Sequence, residues 1–247
     1  MQGIRLAVFD LSGTTVSDDN AVAKCLHRAA IEHGLDVGIE EIEKSIGTNK
    51  IHLYEYLIAR QQGADIDIRD LETHRFEEHS ARAMEIFRKY SEYMVEHYRT
   101  QTRQIPGAEE VFDWCHRHGI LVATDTGFHR DVSLALMDGL KWLQRGLVDL
   151  HIDVEDTGGI GRPAPFMIHQ AMYRLGVQSV HQVAKIGDTP ADLLSGYHAG
   201  CRVNVGVLTG ANSRETLEKY PHTHILNSVR DLPGLIHSLS HRNDNLS

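Results

Sequence analysis

The sequence predicts an α/β fold, a doubly wound parallel sheet interrupted once by an all-helical insert. Three observations carry this. Short apolar runs that read as buried strands alternate with helical patterns along most of the chain. Two of those runs, near opposite ends of the chain, finish in an aspartate at a glycine-containing turn. Between Ser17 and Arg103 no strand pattern appears, and so long a helical passage exceeds what one crossover needs. The expected division is a core of residues 1–16 and 104–247 with a helical domain of residues 17–103 inserted.

The first strand is Leu6–Phe9, an apolar run suited to a strand buried on both faces. Asp10 follows where the strand ends, and Gly13 permits a tight turn beside hydroxyls from Ser12, Thr14 and Thr15. A carboxylate in that position suits two jobs: holding a hard cation, or attacking phosphorus as a nucleophile. Helices are then expected over Ala21–His33, Ile39–Ile46 with a stop at Gly47, Lys50–Arg60, and Ile68–Arg99 as one helix or two. Pro106 and Gly107 mark re-entry to the core.

From there the pattern reads helix Ala108–His118, strand Ile120–Thr124, helix Arg130–Met137, strand Val148–Ile152 and helix Pro163–Leu175. Strand Val183–Ile186, helix Ala191–Ala199, strand Arg202–Val207 and helix Asp231–Leu239 complete it, with a polar, frayed tail from His241. Gly187, Asp188 and Asp192 follow the strand at Val183, so two strands ending in carboxylates meet at one sheet edge, where open α/β sheets bind ligands. Together these carboxylates suit Mg²⁺.

At 247 residues the chain can bury a substantial core. A formal charge of -9 excludes a general nucleic-acid binder. No apolar stretch approaches the roughly 20 residues of a membrane span. The start of the chain lacks a signal peptide's apolar region. Cys25, Cys115 and Cys201 are scattered and odd in number, reading as reduced thiols of a cytoplasmic protein. His116, His118, His222 and His224 offer no third ligand at a telling distance and read as surface residues.

Four segments resemble, in order, the motifs of the haloacid dehalogenase superfamily phosphotransferases. They are DLSGTTV from Asp10, TDTGF from Thr124, GRPAPFM from Gly161 and GDTPAD from Gly187. The resemblance runs from Leu6 to about Gly210, and within the superfamily it is to the phosphonatase-like group. It implies a Rossmann-like core with a helical cap domain, dimerisation through that cap, and a small phosphorylated or phosphonate metabolite as substrate.

The resemblance also implies roles. Asp10 is the nucleophile. Mg²⁺ is held by Asp10, the Ser12 carbonyl and Asp188. Asp192 joins directly or through water, or else serves as a helix N-terminal acid. Thr126 and the N–H of Gly127 bind phosphate, and Arg162 neutralises charge on the transferring phosphoryl. Lys185 supports the carboxylates or is a solvated strand-end lysine.

Position 12 bears on substrate. Many superfamily members carry a second aspartate there as general acid and base, which Ser12 cannot replace. The phosphonatase group has a small neutral residue instead, and a cap lysine condenses with its aldehyde substrate. Lys50 in IGTNKIHLYEYL falls on that lysine, to form an imine, to bind substrate, or simply to begin a helix. At three substrate-side positions the chain departs from the group: Leu53 stands for its histidine, Phe128 for its tyrosine and Asn20 for its cysteine. Three functions therefore stand side by side: ester hydrolysis, P–C cleavage of phosphonoacetaldehyde, and a catalytically weak binding protein.

Overall fold

The computed structural model describes residues 3–46, 48–65, 67 and 76–244. The chain divides into two compact units, Met1–Ser17 with Thr102–Ser247, and Asp18–Gln101. The first unit opens with β1 (Leu6–Asp10), buried throughout because strands flank it on both sides and helices cover both faces. The turn after it folds onto one carbonyl: the N–H groups of Thr14, Thr15 and Val16 donate to Leu11 O at 3.1, 2.9 and 2.8 Å.

Among the described residues the second unit holds the α-helices α1 (Ala21–Glu32), α2 (Ile39–Lys44), α3 (Lys50–Gln61) and α4 (Ser80–Thr100). Along α4, Ala83, Ile86, Phe87, Tyr90, Met94 and Tyr98 recur at three- and four-residue intervals and are buried, which is why this charged sequence still packs. Leu26 and Ala29 of α1 turn inward as their spacing predicts, whereas Ile31 is exposed. Asn49 caps α3 by accepting from the N–H groups of Ile51 and His52 at 2.9 and 3.2 Å. Of the one helix or two expected over Ile68–Arg99, the described part is a 3-10 turn, Glu77–His79, followed by α4; residues 68–75 and the expected stop at Gly47 lie outside the described residues.

Back in the first unit the order is α5 (Ala108–Arg117), β2 (Leu121–Asp125), α6 (Arg130–Leu140), β3 (Leu150–Ile152), α7 (Phe166–Arg174), β4 (Val183–Gly187), α8 (Pro190–Ala199), β5 (Val203–Val207), α9 (Arg214–Leu217), β6 (His224–Leu226) and α10 (Leu232–Asp244). All six strands are parallel, in the order β3-β2-β1-β4-β5-β6. The alternation of β1 explains the layers. Leu6 and Val8 pack with Met167, Ile168 and Ala171 of α7. Phe9 faces the other way, its ring 5.2 Å from that of Phe112, which lies 5.0 Å from Trp142.

Three differences from the sequence reading have local causes. The helix expected from Pro163 starts at Phe166, because proline donates no N–H and holds the residue before it extended. The short elements β6 and α9 escape a periodicity reading, since three or four residues carry no repeat. The helix expected over Asp231–Leu239 runs on to Asp244, into the tail expected to fray, whose residues 245–247 lie outside the described residues.

Candidate active site

Asp10 ends β1 and Asp125 ends β2 directly opposite it, so two carboxylates share the carboxyl edge of adjacent strands. Both are buried, as are Asp188 after β4 and Asp192 in the first turn of α8. Asp10, Asp125 and Asp192 each offer an oxygen within 4.8 Å of the others, an arrangement able to hold a metal ion.

Two cations already stand among those three. Arg162, from the segment before α7, places Nη1 2.6 Å from Asp10 Oδ1, on Asp192 Oδ1, and 4.0 Å from Asp125. Lys185 in β4 has no exposed surface and places Nζ 2.5 Å from Asp125 and 2.9 Å from Asp192. Burial by itself would raise the Asp192 carboxyl, but Arg162 and Lys185 hold it well below the usual carboxylate range. Its other oxygen accepts from the N–H and hydroxyl of Thr189 in a capping box at the start of α8. Asp192 is thus engaged at both oxygens as a helix N-terminal acid and ion-pair partner.

Asp10 and Asp188 are placed differently. Burial pushes Asp10 up to about 6, with Arg162 opposing and the charge of Asp192 adding to the rise. Burial pushes Asp188 well above its ordinary value, and the charges of Asp10 and Asp192 reinforce it. The hydrogen bonds of Asp188 come from neutral donors, the Thr14 hydroxyl at 3.0 Å and the Ala211 N–H at 3.3 Å. Four buried carboxylates against one guanidinium and one ammonium leave an excess of negative charge, concentrated on Asp10 and Asp188. That donor set and charge fit one hard divalent cation.

Backbone enforces the placement. Gly13 has φ +86°, and a Cβ on it would lie 2.5 Å from Asp188 Oδ2. Gly210, in the loop after β5, backs onto the same carboxylate so closely that any Cβ would fall on it. Thr209 ties that loop to the first turn by donating to Gly13 O at 2.7 Å.

Of the residues singled out by sequence, Asp10, Arg162, Asp188 and Asp192 come together at this edge, with Ser12 half-buried in the turn beside Gly13. Thr126 and Gly127 follow β2. The Thr126 hydroxyl oxygen accepts from the Phe128 N–H at 3.2 Å, a bond that does not use its proton. A Cβ on Gly127 would lie 3.4 Å from Arg162 Nη2, so the backbone there backs onto the guanidinium. Lys50 begins α3 in the other unit, where its Nζ donates to Thr48 O at 2.8 Å. Asp125 was passed over by the sequence reading. Its signal was available, since LVATD ends as LAVFD does.

A parallel sheet flanked by helices, with buried carboxylates at its carboxyl edge, defines an α/β protein of the doubly wound class, whose ligands bind at that edge. The chain belongs to the haloacid dehalogenase-like hydrolase family, whose profile matches residues 4–200. Curated relatives include the phosphonoacetaldehyde hydrolase of Lactiplantibacillus plantarum, 27% identical over 264 aligned positions spanning 96% of this chain and 97% of that one. The enzyme of the same name from Bacteroides fragilis is 24% identical, again over 96% and 97%. Among solved structures, a phosphonoacetaldehyde hydrolase like protein from Oleispira antarctica superposes with a TM-score of 0.76 at 20% identity, over 98% of this chain and 94% of that one. CbbY from Rhodobacter sphaeroides, solved with phosphate, gives 0.70 at 19% identity over 93% and 96%. Those two show the fold. Among the described residues no helix is long and apolar enough to cross a membrane.

Proposed function

We propose that this chain is a Mg²⁺-dependent phosphohydrolase in which Asp10 attacks phosphorus of a small phosphate ester or phosphonate. The observation that carries this is the buried Asp10–Asp188 pair, whose excess negative charge calls for a divalent ion, with Arg162 2.6 Å from the nucleophile. Asp10, Asp188 and the carbonyl of Ser12 are the residues that would hold Mg²⁺, and Asp192 orients Arg162 and Lys185 instead. When bound, the ion would supply positive charge that screens the carboxylate from the anionic phosphoryl group.

The Asp10 carboxylate oxygen forms a bond to phosphorus as the leaving group departs, giving an aspartyl phosphate that water hydrolyses. The Thr126 hydroxyl and the Gly127 N–H donate to phosphoryl oxygens, and Arg162 neutralises the charge that builds on them. Ser12 gives no carboxyl acid for a poor leaving group. Substrates whose leaving group needs no protonation are therefore favoured.

A second reading is favoured by the curated relatives named phosphonoacetaldehyde hydrolase. In it Lys50 condenses with the aldehyde, and the imine accepts the electrons of the breaking P–C bond. One panel tests both readings: para-nitrophenyl phosphate, small phosphate esters and phosphonoacetaldehyde, each with and without Mg²⁺, against Asp10→Asn. Turnover that needs both Mg²⁺ and Asp10 is expected. Borohydride trapping of Lys50 with phosphonoacetaldehyde selects P–C cleavage, and its absence selects ester hydrolysis. Wild type no better than Asp10→Asn on every compound overturns both readings in favour of a binding protein.

A further inference from the structure

Asp125 has no part in the phosphoryl transfer just described, yet it is fully buried in register with Asp10. Its Oδ1 takes the ammonium of Lys185 at 2.5 Å, and its Oδ2 has no hydrogen-bond partner among the described residues. Lys185 also meets Asp192 Oδ1 at 2.9 Å. That same oxygen accepts from Nη1 of Arg162, and the same Nη1 reaches Asp10 at 2.6 Å. A continuous chain of charges therefore runs from Asp125 through Lys185, Asp192 and Arg162 to Asp10. One oxygen of Asp192 is shared by two cations, and Asp125 is the second anion that satisfies Lys185.

We propose that Asp125 is a positioning residue for Arg162, acting through Lys185 and Asp192. The inference rests on the assignment of Arg162 to the phosphoryl group made above. A buried ammonium requires a close anion. Without charge at position 125, Lys185 draws Asp192 to itself, and Arg162 loses one of the two carboxylates it hydrogen-bonds as well as the weaker direct attraction of Asp125 at 4.0 Å. The guanidinium then closes on Asp10, where it masks the nucleophile and turns from the phosphoryl oxygens. Misplacement of such a group by ~1 Å costs on the order of a hundredfold in rate.

The test uses the full chain labelled with ¹⁵N-arginine. The side-chain N–H signal of Arg162, identified by its loss in R162K, reports the carboxylates around it before any ligand is added. D125N and K185M are each expected to shift that signal and speed its exchange with water. Each is also expected to weaken calorimetric binding of inorganic phosphate in the presence of Mg²⁺ by about tenfold. The D125N/K185M double variant should bind phosphate no worse than either single one, and D125N should add nothing in an R162K background.

An unmoved Arg162 signal in D125N overturns the proposal. So does a D125N effect of the same size in R162K, which would mean that Asp125 acts on the ligand directly or only on stability. K185M interrogates the same chain of charges if D125N does not fold. A wild type that neither binds phosphate nor hydrolyses para-nitrophenyl phosphate removes the proposed function, while the Arg162 signal still decides whether Asp125 positions it.

Discussion

Nη1 of Arg162 lies 2.6 Å from Oδ1 of Asp10, a contact between residues 152 positions apart in the chain. The strand places Asp10, and the segment before α7 delivers the arginine to it. The guanidinium is a fixed fork. One arm serves Asp10 and Asp192 while Nη2 faces the backbone at Gly127, so Arg162 spans from Asp10 to the turn expected to bind phosphate.

Arg162→Ala should lower kcat/KM for para-nitrophenyl phosphate by about 10²–10³, the loss seen when a transition-state donor is removed. Arg162→Lys should recover part of that, because an ammonium keeps the charge but not the two-armed reach. Steady-state kinetics at saturating Mg²⁺ measure both. Wild-type rates in Arg162→Ala would reduce the residue to an ion-pair partner.

Asp188 should respond in opposite directions with and without metal. Its carboxylate is buried beside Asp10 with neutral hydrogen-bond donors, so Asp188→Asn removes repulsion in the metal-free protein. The Tm of metal-free Asp188→Asn is expected roughly 2–4 °C above wild type, as for a gain near 1 kcal/mol in a chain of this size. Mg²⁺ at a hundredfold excess over its Kd should stabilise wild type by about 2.7 kcal/mol and leave Asp188→Asn unmoved. Thermal unfolding with and without Mg²⁺ reads both effects. An equal Mg²⁺ response in the two proteins would remove Asp188 from the ion.

What the sequence made legible follows from how each residue signals. Asp10 and Asp188 stand at the ends of apolar strands beside glycines, and the apolar runs and helical patterns around them are long enough to place both at one edge. Position alone could not separate the roles of Asp188 and Asp192. That distinction comes from Lys185 and Arg162 converging on Asp192, a tertiary event between residues with no shared local pattern. In the sequence Lys185 reads either as a support for the carboxylates or as a solvated strand-end lysine, and it is its burial in β4, with Nζ on Asp125 and Asp192, that favours the first. Asp125 was masked by the threonine and glycine of its own motif, which draw attention to phosphate binding.

Gly210→Ala should impair the proposed Mg²⁺ site, because its loop backs onto the Asp188 carboxylate. The Cβ would overlap the Asp188 carboxylate, which is held there by Thr14 and the Ala211 N–H and cannot retreat without losing both. Overpacking of this kind typically costs about 1–3 kcal/mol. The apparent affinity for Mg²⁺, from activation of para-nitrophenyl phosphate hydrolysis, should fall at least about tenfold. Gly38→Ala is the control, since that glycine has ordinary backbone angles and nothing within 4 Å of a Cβ. Equal Mg²⁺ activation of the two variants would show that the loop yields.

His151 should make the core sensitive to acid. It lies in β3 with Nδ1 2.8 Å from the Thr124 hydroxyl and Nε2 against the Ser133 hydroxyl, and burial pushes its imidazole down to about 4. In the unfolded chain it titrates near 6.5. Between those values the unfolded chain binds the proton and the folded one does not, so stability falls as pH drops through that window. The contribution is complete above about 6.5, and up to about 3 kcal/mol of it is gone by about pH 4. Asp10 and Asp188 act in the opposite sense over an overlapping range, because raised carboxylates gain from acidification. The measurement is therefore the difference in urea unfolding free energy between wild type and His151→Asn, taken at pH 7.5, 6 and 5. The carboxylates cancel in that difference, and the advantage of wild type over the variant should shrink steadily toward low pH. A difference that stays constant with pH would mean that His151 accepts its proton in the folded protein as readily as in the unfolded chain.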